Sequence, residues 1–172
     1  MKREVLAKQI NELCRLTGEF VLRAGGISNT YFEKYQFESY PEVLHEITVK
    51  LSPLIPEDTD ILAGLEMGGV PVATVLSQIT GLPTVFVRKK AKEYGTQRLA
   101  EGIAIKNRNV LVVEDVITTG GQVVESTHAL RQLGAHIESV MCVIDRREGY
   151  KGILETAGLS VISLFMSEEL GQ

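Results

Sequence analysis

The chain has 172 residues, of which 44% are hydrophobic and 23% charged, a composition typical of a globular protein with a sizeable core in a single domain. Its net charge of −4 offers no general attraction to nucleic acid or to an anionic membrane, and no apolar run is long enough to span a bilayer. Cys14 and Cys142 lack metal-type spacing, and the amino terminus lacks the apolar region of a secretory signal, so a reduced, cytoplasmic protein is expected.

The hydrophobic pattern predicts strands that alternate with helices along the chain. In order, we predict a helix over 2–16, a strand over 19–22, an extended aromatic segment over 31–37, a helix over 41–54, a strand over 61–65, a helix over 70–79, a strand over 84–87, a polar loop over 88–102, a strand over 110–113, a helix over 122–133, and strands over 137–144 and 159–164. This alternation predicts an α/β fold, with a mostly parallel sheet and helices on both faces.

The most informative stretch runs from Val110 to Gly121, where a β-branched apolar run is followed by two carboxylates, two hydroxyls and two glycines. Such a run is typical of a buried parallel strand, and ligands bind beyond the carboxyl ends of these strands. We expect residues 118–121 to open a helix whose free N–H groups favour a phosphate. Glu114 and Asp115 would hold two ribose hydroxyls, directly or through Mg²⁺. An acidic pair alone is more often part of a turn, so the prediction depends on the ordered combination.

A basic cluster follows the strand predicted over 84–87. Residues 88–98 contain five basic side chains and one acidic one, in an otherwise acidic chain. A solvated loop and a nucleic-acid-binding run are the alternative interpretations. The cluster also contains glycine and turn residues and lies between two predicted strands. These properties suit a loop that closes over a polyphosphate.

Two further segments follow predicted strands. Gly68 and Gly69 come after the strand over 61–65, where glycines let backbone N–H groups approach a diphosphate, although a tight turn is an equally good explanation. Asp145 and Arg146 follow the strand over 137–144. A local salt bridge is the usual role of such a pair, but a guanidinium can also hold a carboxylate with two parallel hydrogen bonds.

Taken in order from Gly18 to Arg146, these segments resemble the orotate phosphoribosyltransferases, a family within the type I phosphoribosyltransferases. The stretch over 110–121 resembles the family's phosphoribosyl-pyrophosphate loop, the stretch over 88–95 its catalytic loop, and the stretch over 18–32 its amino-terminal signature. The resemblance implies the type I phosphoribosyltransferase fold, a parallel sheet flanked by helices with a small N-terminal hood. It implies one domain over 1–172, with the hood mainly from 1–40.

The resemblance also implies an activity, a cofactor and an assembly. Orotate and 5-phosphoribosyl 1-diphosphate (PRPP) would be converted to orotidine 5′-monophosphate and diphosphate in pyrimidine biosynthesis. Mg²⁺ would be the cofactor, and a homodimer would share its active sites, because part of the loop over 88–95 reaches the neighbouring subunit in this family. The implied catalytic residues are Lys92, Asp115 and Arg88.

The resemblance assigns binding roles residue by residue. The implied PRPP-binding residues are Gly68, Gly69, Arg88, Lys89, Lys92, Tyr94, Glu114, Asp115, Val116, Ile117, Thr118, Thr119, Gly120, Gly121 and Gln122. The implied orotate-binding residues are Arg23, Tyr31, Phe32, Thr118 and Arg146. The chain departs from the common pattern at three of these positions: many family members carry His at position 94 and Lys at position 68, and a small residue is usual at position 122.

Two alternatives remain open at this point. One is a phosphoribosyltransferase for another base, such as a purine, which the Gly68 departure and the short chain allow. The other is a non-catalytic regulator that senses PRPP with the same fold. Arg23 and Arg146, a pair of cations suited to an anionic base, favour orotate. The retained cations of the loop over 88–98 favour an enzyme.

Overall fold

Strands that are apolar on both faces form the centre of the fold, because helices can cover them on two sides. The computed structural model describes residues 1–21, 25–90, 99–147 and 152–171. The helices are α1 (Arg3–Cys14), α2 (Tyr35–Ser39), α3 (Pro41–Leu51), α4 (Gly69–Thr80), α5 (Gly121–Gln132) and α6 (Ile153–Thr156), with short 3₁₀ helices at Ser52–Leu54 and Ser167–Leu170. The strands are β1 (Arg15–Val21), β2 (Ile27–Phe32), β3 (Ile61–Leu65), β4 (Thr84–Val87), β5 (Ala100–Glu101), β6 (Val110–Ile117), β7 (Ser139–Asp145) and β8 (Ser160–Met166).

Six of these strands form the main sheet, in the order β5-β4-β3-β6-β7-β8. The pairs β3–β4, β3–β6, β6–β7 and β7–β8 are parallel, and β5 is antiparallel to β4. The sheet is therefore mixed, with a parallel centre. The predicted α/β fold is confirmed, and the carboxyl ends of β3, β4, β6 and β7 meet at one edge of the sheet.

Period-two alternation in the strands divides the core between the two faces of the sheet. On β6, Leu111 and Val113 pack with side chains from α1, α2, α3 and α4. Val110 and Val112 face the other way and pack with side chains from α5 and α6. Both faces of the strand are thus buried, as an unbroken apolar run predicts.

The structure differs from the sequence prediction near the amino terminus. Helix α1 ends at Cys14, and β1 pairs with β2 in a separate two-stranded antiparallel sheet. The segment over 31–37, predicted to be extended, contains the end of β2 and the start of α2. Two contacts explain the helix: the Glu33 carboxylate accepts a hydrogen bond from the Tyr35 N–H at 3.2 Å, and Phe37 is fully buried in the core.

A second difference concerns β6, which was predicted to end at Val113 but runs to Ile117. Its extra residues pair with β7, with Glu114 opposite Cys142 and Val116 opposite Ile144. Two carboxylates therefore lie within a buried strand rather than after it. None of the helices in the described part of the chain is long and apolar enough to cross a membrane.

Close packing of β3 on α4 gives a first prediction. A Cβ on Gly64 would lie 2.7 Å from the Gly69 carbonyl oxygen and 2.9 Å from the Ala73 Cβ. Gly64→Ala should therefore lower the free energy of unfolding by about 1–3 kcal/mol, the usual cost of overpacking. Urea denaturation measures it. Gly18→Ala is the matched control, because its Cβ would meet only the Phe20 ring, at 3.3 Å. Equal midpoints for both variants would contradict close packing at Gly64.

Candidate active site

The loop between β3 and α4 lies directly against the carboxyl-terminal end of β6. A Cβ on Gly68 would overlap the Asp115 carboxylate, and a Cβ on Gly69 would overlap the Val113 carbonyl oxygen. Glycine is therefore required at both positions by the close approach of the two segments. The structure brings together the two stretches to which the sequence assigns diphosphate and ribose.

Asp115 is the most enclosed polar residue of this region. Its side chain is 0% exposed, and the ammonium of Lys34, 34% exposed, lies 2.7 Å from Oδ2. Lys34 donates a hydrogen bond to Oδ1 at 2.9 Å, and the Val116 N–H donates to the same oxygen at 2.6 Å. The Glu38 and Glu114 side chains also hydrogen bond to the Asp115 carboxylate.

Three carboxyl groups share the neighbourhood of this single ammonium. Burial, followed by hydrogen bonding to Asp115, raises the pKa of Glu38 to about 9. The same causes raise the pKa of Glu114 well above its usual value. Burial also opposes ionisation of Asp115, but hydrogen bonding to Glu114 and the charge of Lys34 bring its pKa below its usual value. Asp115 therefore has the lowest pKa of the three carboxyl groups, and burial disfavours a second negative charge beside it.

The start of α5 provides the polar groups expected for a phosphate. Thr118 and Thr119 are exposed, and Gly120 precedes the helix with a left-handed φ of 82°. Gly121 opens the helix, one residue before the predicted start, and the first N–H groups of a helix have no intrahelical acceptor. The Gln122 side chain donates to Ser126 within the helix, at 3.3 Å.

Val116 and Ile117, which were also assigned to PRPP, have apolar side chains on β6. Ile117 is 2% exposed and belongs to the core, and its carbonyl accepts a hydrogen bond from the Arg146 N–H at 2.8 Å. The Val116 N–H is already bonded to Asp115. These two residues support the loop through the backbone.

An open cleft lies between β2 and the end of β7. Its lining residues are Arg15, Ser28, Thr30, Tyr31, Phe32 and Arg146. The guanidinium of Arg146 lies over the Phe32 ring, 5.1 Å from its centroid, a cation–π arrangement. The structure therefore brings together three of the residues assigned to orotate. Thr118 does not line this cleft, and Arg23 lies outside the described residues.

Arg15 is a lining residue that sequence reasoning missed. It was placed in the predicted helix over 2–16, but it begins β1 and pairs with Phe32 across the hairpin. No described carboxylate forms an ion pair with it, and it adds a second guanidinium to the cleft wall. The hairpin register alone determines this position, so the local sequence carries no signal for it.

The start of the basic cluster is anchored to the sheet. The Arg88 guanidinium donates to Glu101 at 3.1 Å, and the backbone N–H of Lys89 donates to the Glu66 carboxylate in the loop after β3. The Arg88 side chain is therefore paired with a carboxylate of β5. The other two assigned residues of this cluster, Lys92 and Tyr94, lie outside the described residues.

Asp145 forms a salt bridge with Arg147 rather than with Arg146. The Arg147 guanidinium, 7% exposed, contacts the Asp145 carboxylate at 2.9 Å and the Glu155 carboxylate at 3.1 Å. The salt bridge considered for the Asp145–Arg146 pair is thus made one residue further on. Arg146, with its backbone fixed between these groups and Ile117, extends over Phe32.

A metal ion would have few protein ligands here. Among residues 1–21, 25–90, 99–147 and 152–171, no group of three or more His, Cys, Asp or Glu side chains could hold a metal ion. Glu114, 9% exposed, and Asp115 are the nearest oxygen donors of the site. This donor set suits Mg²⁺ carried mainly by a phosphate-bearing substrate, because Mg²⁺ commonly takes one or two protein carboxylates beside substrate oxygens.

Comparisons with known proteins agree with this geometry. A family model for the phosphoribosyl transferase domain matches residues 38–162. Orotate phosphoribosyltransferase from a Nocardioides species is 48% identical over 165 residues, which cover 96% of this chain and 92% of that protein. The chain belongs to the orotate phosphoribosyltransferases, within the phosphoribosyl transferase domain family.

Solved structures of this family have the same fold. Orotate phosphoribosyltransferase from Mycobacterium tuberculosis H37Rv matches with a TM-score of 0.88 and 31% identity, covering 99% of both chains. The complex of the same enzyme with PRPP matches with a TM-score of 0.83 and 28% identity, again over 99% of both chains. The family and fold predicted from the sequence are therefore confirmed.

Proposed function

We propose that this chain transfers the 5-phosphoribosyl group of PRPP to orotate and releases diphosphate, as an orotate phosphoribosyltransferase of pyrimidine biosynthesis. The observation that carries the proposal is the junction of two sites at one edge of the sheet. Asp115 lies near the end of β6, Arg146 follows β7, and the Arg146 N–H donates to the Ile117 carbonyl at 2.8 Å. The names and PRPP complex of the relatives support the same activity.

The cleft between β2 and β7 would bind orotate. Phe32 and Tyr31 offer a wall for a planar ring, and the Arg146 guanidinium can hold the carboxylate with two parallel hydrogen bonds. Arg15, in the same wall, would add positive charge. Arg23 is a further orotate contact that the family resemblance implies.

The end of β6 and the start of α5 would bind the ribose 5-phosphate. Asp115 and its neighbour Glu114 would hold the ribose hydroxyls. Residues 118–121 would hold the phosphate through hydroxyls and backbone N–H groups, with Gln122 at the helix start. Orienting both ends of the ribose would lower the entropic cost of bringing its C1 to the base.

The loop after β3 and the basic cluster would bind the diphosphate. Gly68 and Gly69 would offer backbone N–H groups, and Arg88, Lys89, Lys92 and Tyr94 would surround the leaving group. Mg²⁺, carried on PRPP and supported by Glu114 and Asp115, would help to neutralise the departing charge. Positive charge arranged where negative charge develops is the main source of rate in such a site.

Three wider properties belong to the same proposal. Residues 1–172 would form one domain, with a hood mainly from 1–40. The protein would act in the cytoplasm, where Cys14 and Cys142, both free and buried, would remain reduced. Two copies would form a homodimer in which the loop over 88–95 contributes to the partner's site. A purine-specific enzyme and a PRPP-sensing regulator are the competing functions.

Base choice can be measured with the purified protein, PRPP and Mg²⁺. Orotate should support diphosphate release, and uracil, adenine, hypoxanthine and xanthine should not. Arg146→Ala should raise KM for orotate or lower kcat while leaving PRPP binding nearly unchanged, because the two ligands contact different loops. Arg108→Ala is the matched control, since Arg108 pairs with Asp60 at the opposite edge of the sheet. Diphosphate release with a purine, unaffected by Arg146→Ala, would favour the purine enzyme. Absence of diphosphate release with all five bases would favour the regulator.

The role of Asp115 can be tested by removing its charge. Asp115→Asn keeps the shape but should reduce kcat/KM by about 10- to 1000-fold, or about 1.4–4 kcal/mol, because the ribose hydroxyls lose an anionic acceptor. Asp58→Asn is the control, since Asp58 is exposed in a turn. Steady-state kinetics and thermal unfolding would be measured together. A folded Asp115→Asn protein with near-normal turnover would exclude the ribose role.

Sharing of sites in a dimer can be tested by mixing two inactive variants. Lys92→Ala and Asp115→Asn should each be nearly inactive. After subunit exchange, a mixed dimer has one site with both wild-type residues if Lys92 is supplied by the partner. About half of the dimers are mixed with one good site each, so about a quarter of the wild-type activity should return. No recovery after demonstrated exchange would mean that Lys92 serves its own subunit or that no dimer forms.

A further inference from the structure

The turn between β2 and α2 carries Lys34, a cation beside Asp115 that is not among the residues assigned from the sequence. Lys34 directly precedes α2 and has a helical backbone conformation, with φ −59° and ψ −31°, and Glu38 follows four residues later. Residues at this spacing lie on the same face of a helix, and both side chains interact with Asp115. Phe37, fully buried in the core, fixes the helix that carries them.

Lys34 and Asp115 are in close contact, but their side chains differ in exposure to water. The ammonium lies 2.9 Å from Oδ1 as a hydrogen-bond donor and 2.7 Å from Oδ2. Asp115 has no exposure to water, whereas the Lys34 side chain is 34% exposed. Tyr35 adds an aromatic face 5.2 Å from the same ammonium. Lys34 thus compensates a buried carboxylate and still reaches the surface of the site.

We propose that Lys34 is a positioning residue for PRPP, whose ammonium holds the Asp115 carboxylate in place beside the diphosphate loop, where that carboxylate would meet the ribose. The proposal rests on the proposed function. PRPP is a polyanion, so a site that also contains the Asp115 carboxylate needs a nearby cation to avoid repulsion. Gly68 lies against the same carboxylate and has no side chain that could provide the charge. Among the described residues, Lys34 is the one cation that forms an ion pair with Asp115.

The opposite role would make Lys34 a latch. The ammonium would occupy the place of the ribose hydroxyls, and PRPP would have to displace it. The two roles give opposite results when the charge is removed. A positioning residue strengthens PRPP binding, so its loss weakens binding, whereas loss of a competing latch strengthens binding. The charge argument favours positioning, because removal of Lys34 leaves a polyanionic ligand facing an uncompensated carboxylate.

Three variants separate charge, hydrogen bonding and packing. Lys34→Met removes both polar functions, Lys34→Gln keeps a hydrogen-bond donor without charge, and Lys34→Arg keeps the charge. Lys34→Met and Lys34→Gln should raise KM and Kd for PRPP by about tenfold or more, in the range expected for loss of one partner of a buried charged pair. KM for orotate should change less than about twofold, because its cleft is formed by other residues. Lys34→Arg should retain most of the wild-type PRPP affinity, because the positive charge remains.

Lys8→Met is the control, because Lys8 is 78% exposed and pairs with Glu12 on the same helix, α1. PRPP affinity is measured by calorimetry without orotate, so this measurement tests Lys34 even if the wild-type protein proves inactive with orotate. Tighter PRPP binding in Lys34→Met or Lys34→Gln would establish the latch and overturn the proposal. Equal weakening for PRPP and orotate, or loss of folding in all three variants, would show a structural role and also overturn it.

Discussion

A carboxylate without access to water is the constraint on which this site depends. Burial of an ion is costly unless a partner of opposite charge and hydrogen-bond donors compensate it. Asp115 obtains this compensation from the Lys34 ammonium and the Val116 N–H, and Gly68 leaves room for its oxygens. The turn before α2, the loop before α4 and the end of β6 must therefore meet at one point. The proposed ribose site thus depends on the correct packing of three segments that are distant in the sequence.

Most of the sheet could be predicted from the sequence, because an unbroken apolar run indicates a strand buried on two faces whichever elements pack against it. The strands over 61–65 and 84–87 agree with the observed β3 and β4. The carboxyl end of β6 could not be predicted in this way. Glu114 and Asp115 have low strand propensity and suit turns, but pairing with β7 keeps them in the strand. The aromatic residues over 31–37 suggested an extended segment, whereas burial of Phe37 favours a helix.

Site residues that belong to a recognisable local motif could be predicted from the sequence. Residues that reach the site only through pairing with a distant segment were missed. Tyr31, Phe32 and Arg146 meet in one cleft, whereas Arg15 joins them only through the hairpin register. Lys34 gave no local signal either, because its partner lies on a distant strand. Many orotate phosphoribosyltransferases carry lysine at the position of Gly68. Here Asp115 fills the space of such a side chain, and the ammonium next to Asp115 comes from a different segment.

The adjacent arginines after β7 illustrate how identical residues can be constrained for different reasons. Arg147 is enclosed by Asp145 and Glu155, and only a planar guanidinium can bond to both carboxylates in this arrangement. Arg146 instead lies over Phe32 at the open cleft. Evolution of a new base preference would therefore replace Arg146 and keep Arg147, because Arg146 faces the cleft proposed for the base and Arg147 holds the strand end in place. In related sequences, variation at position 146 together with an invariant arginine at position 147 would mark a change of substrate rather than a loss of the fold.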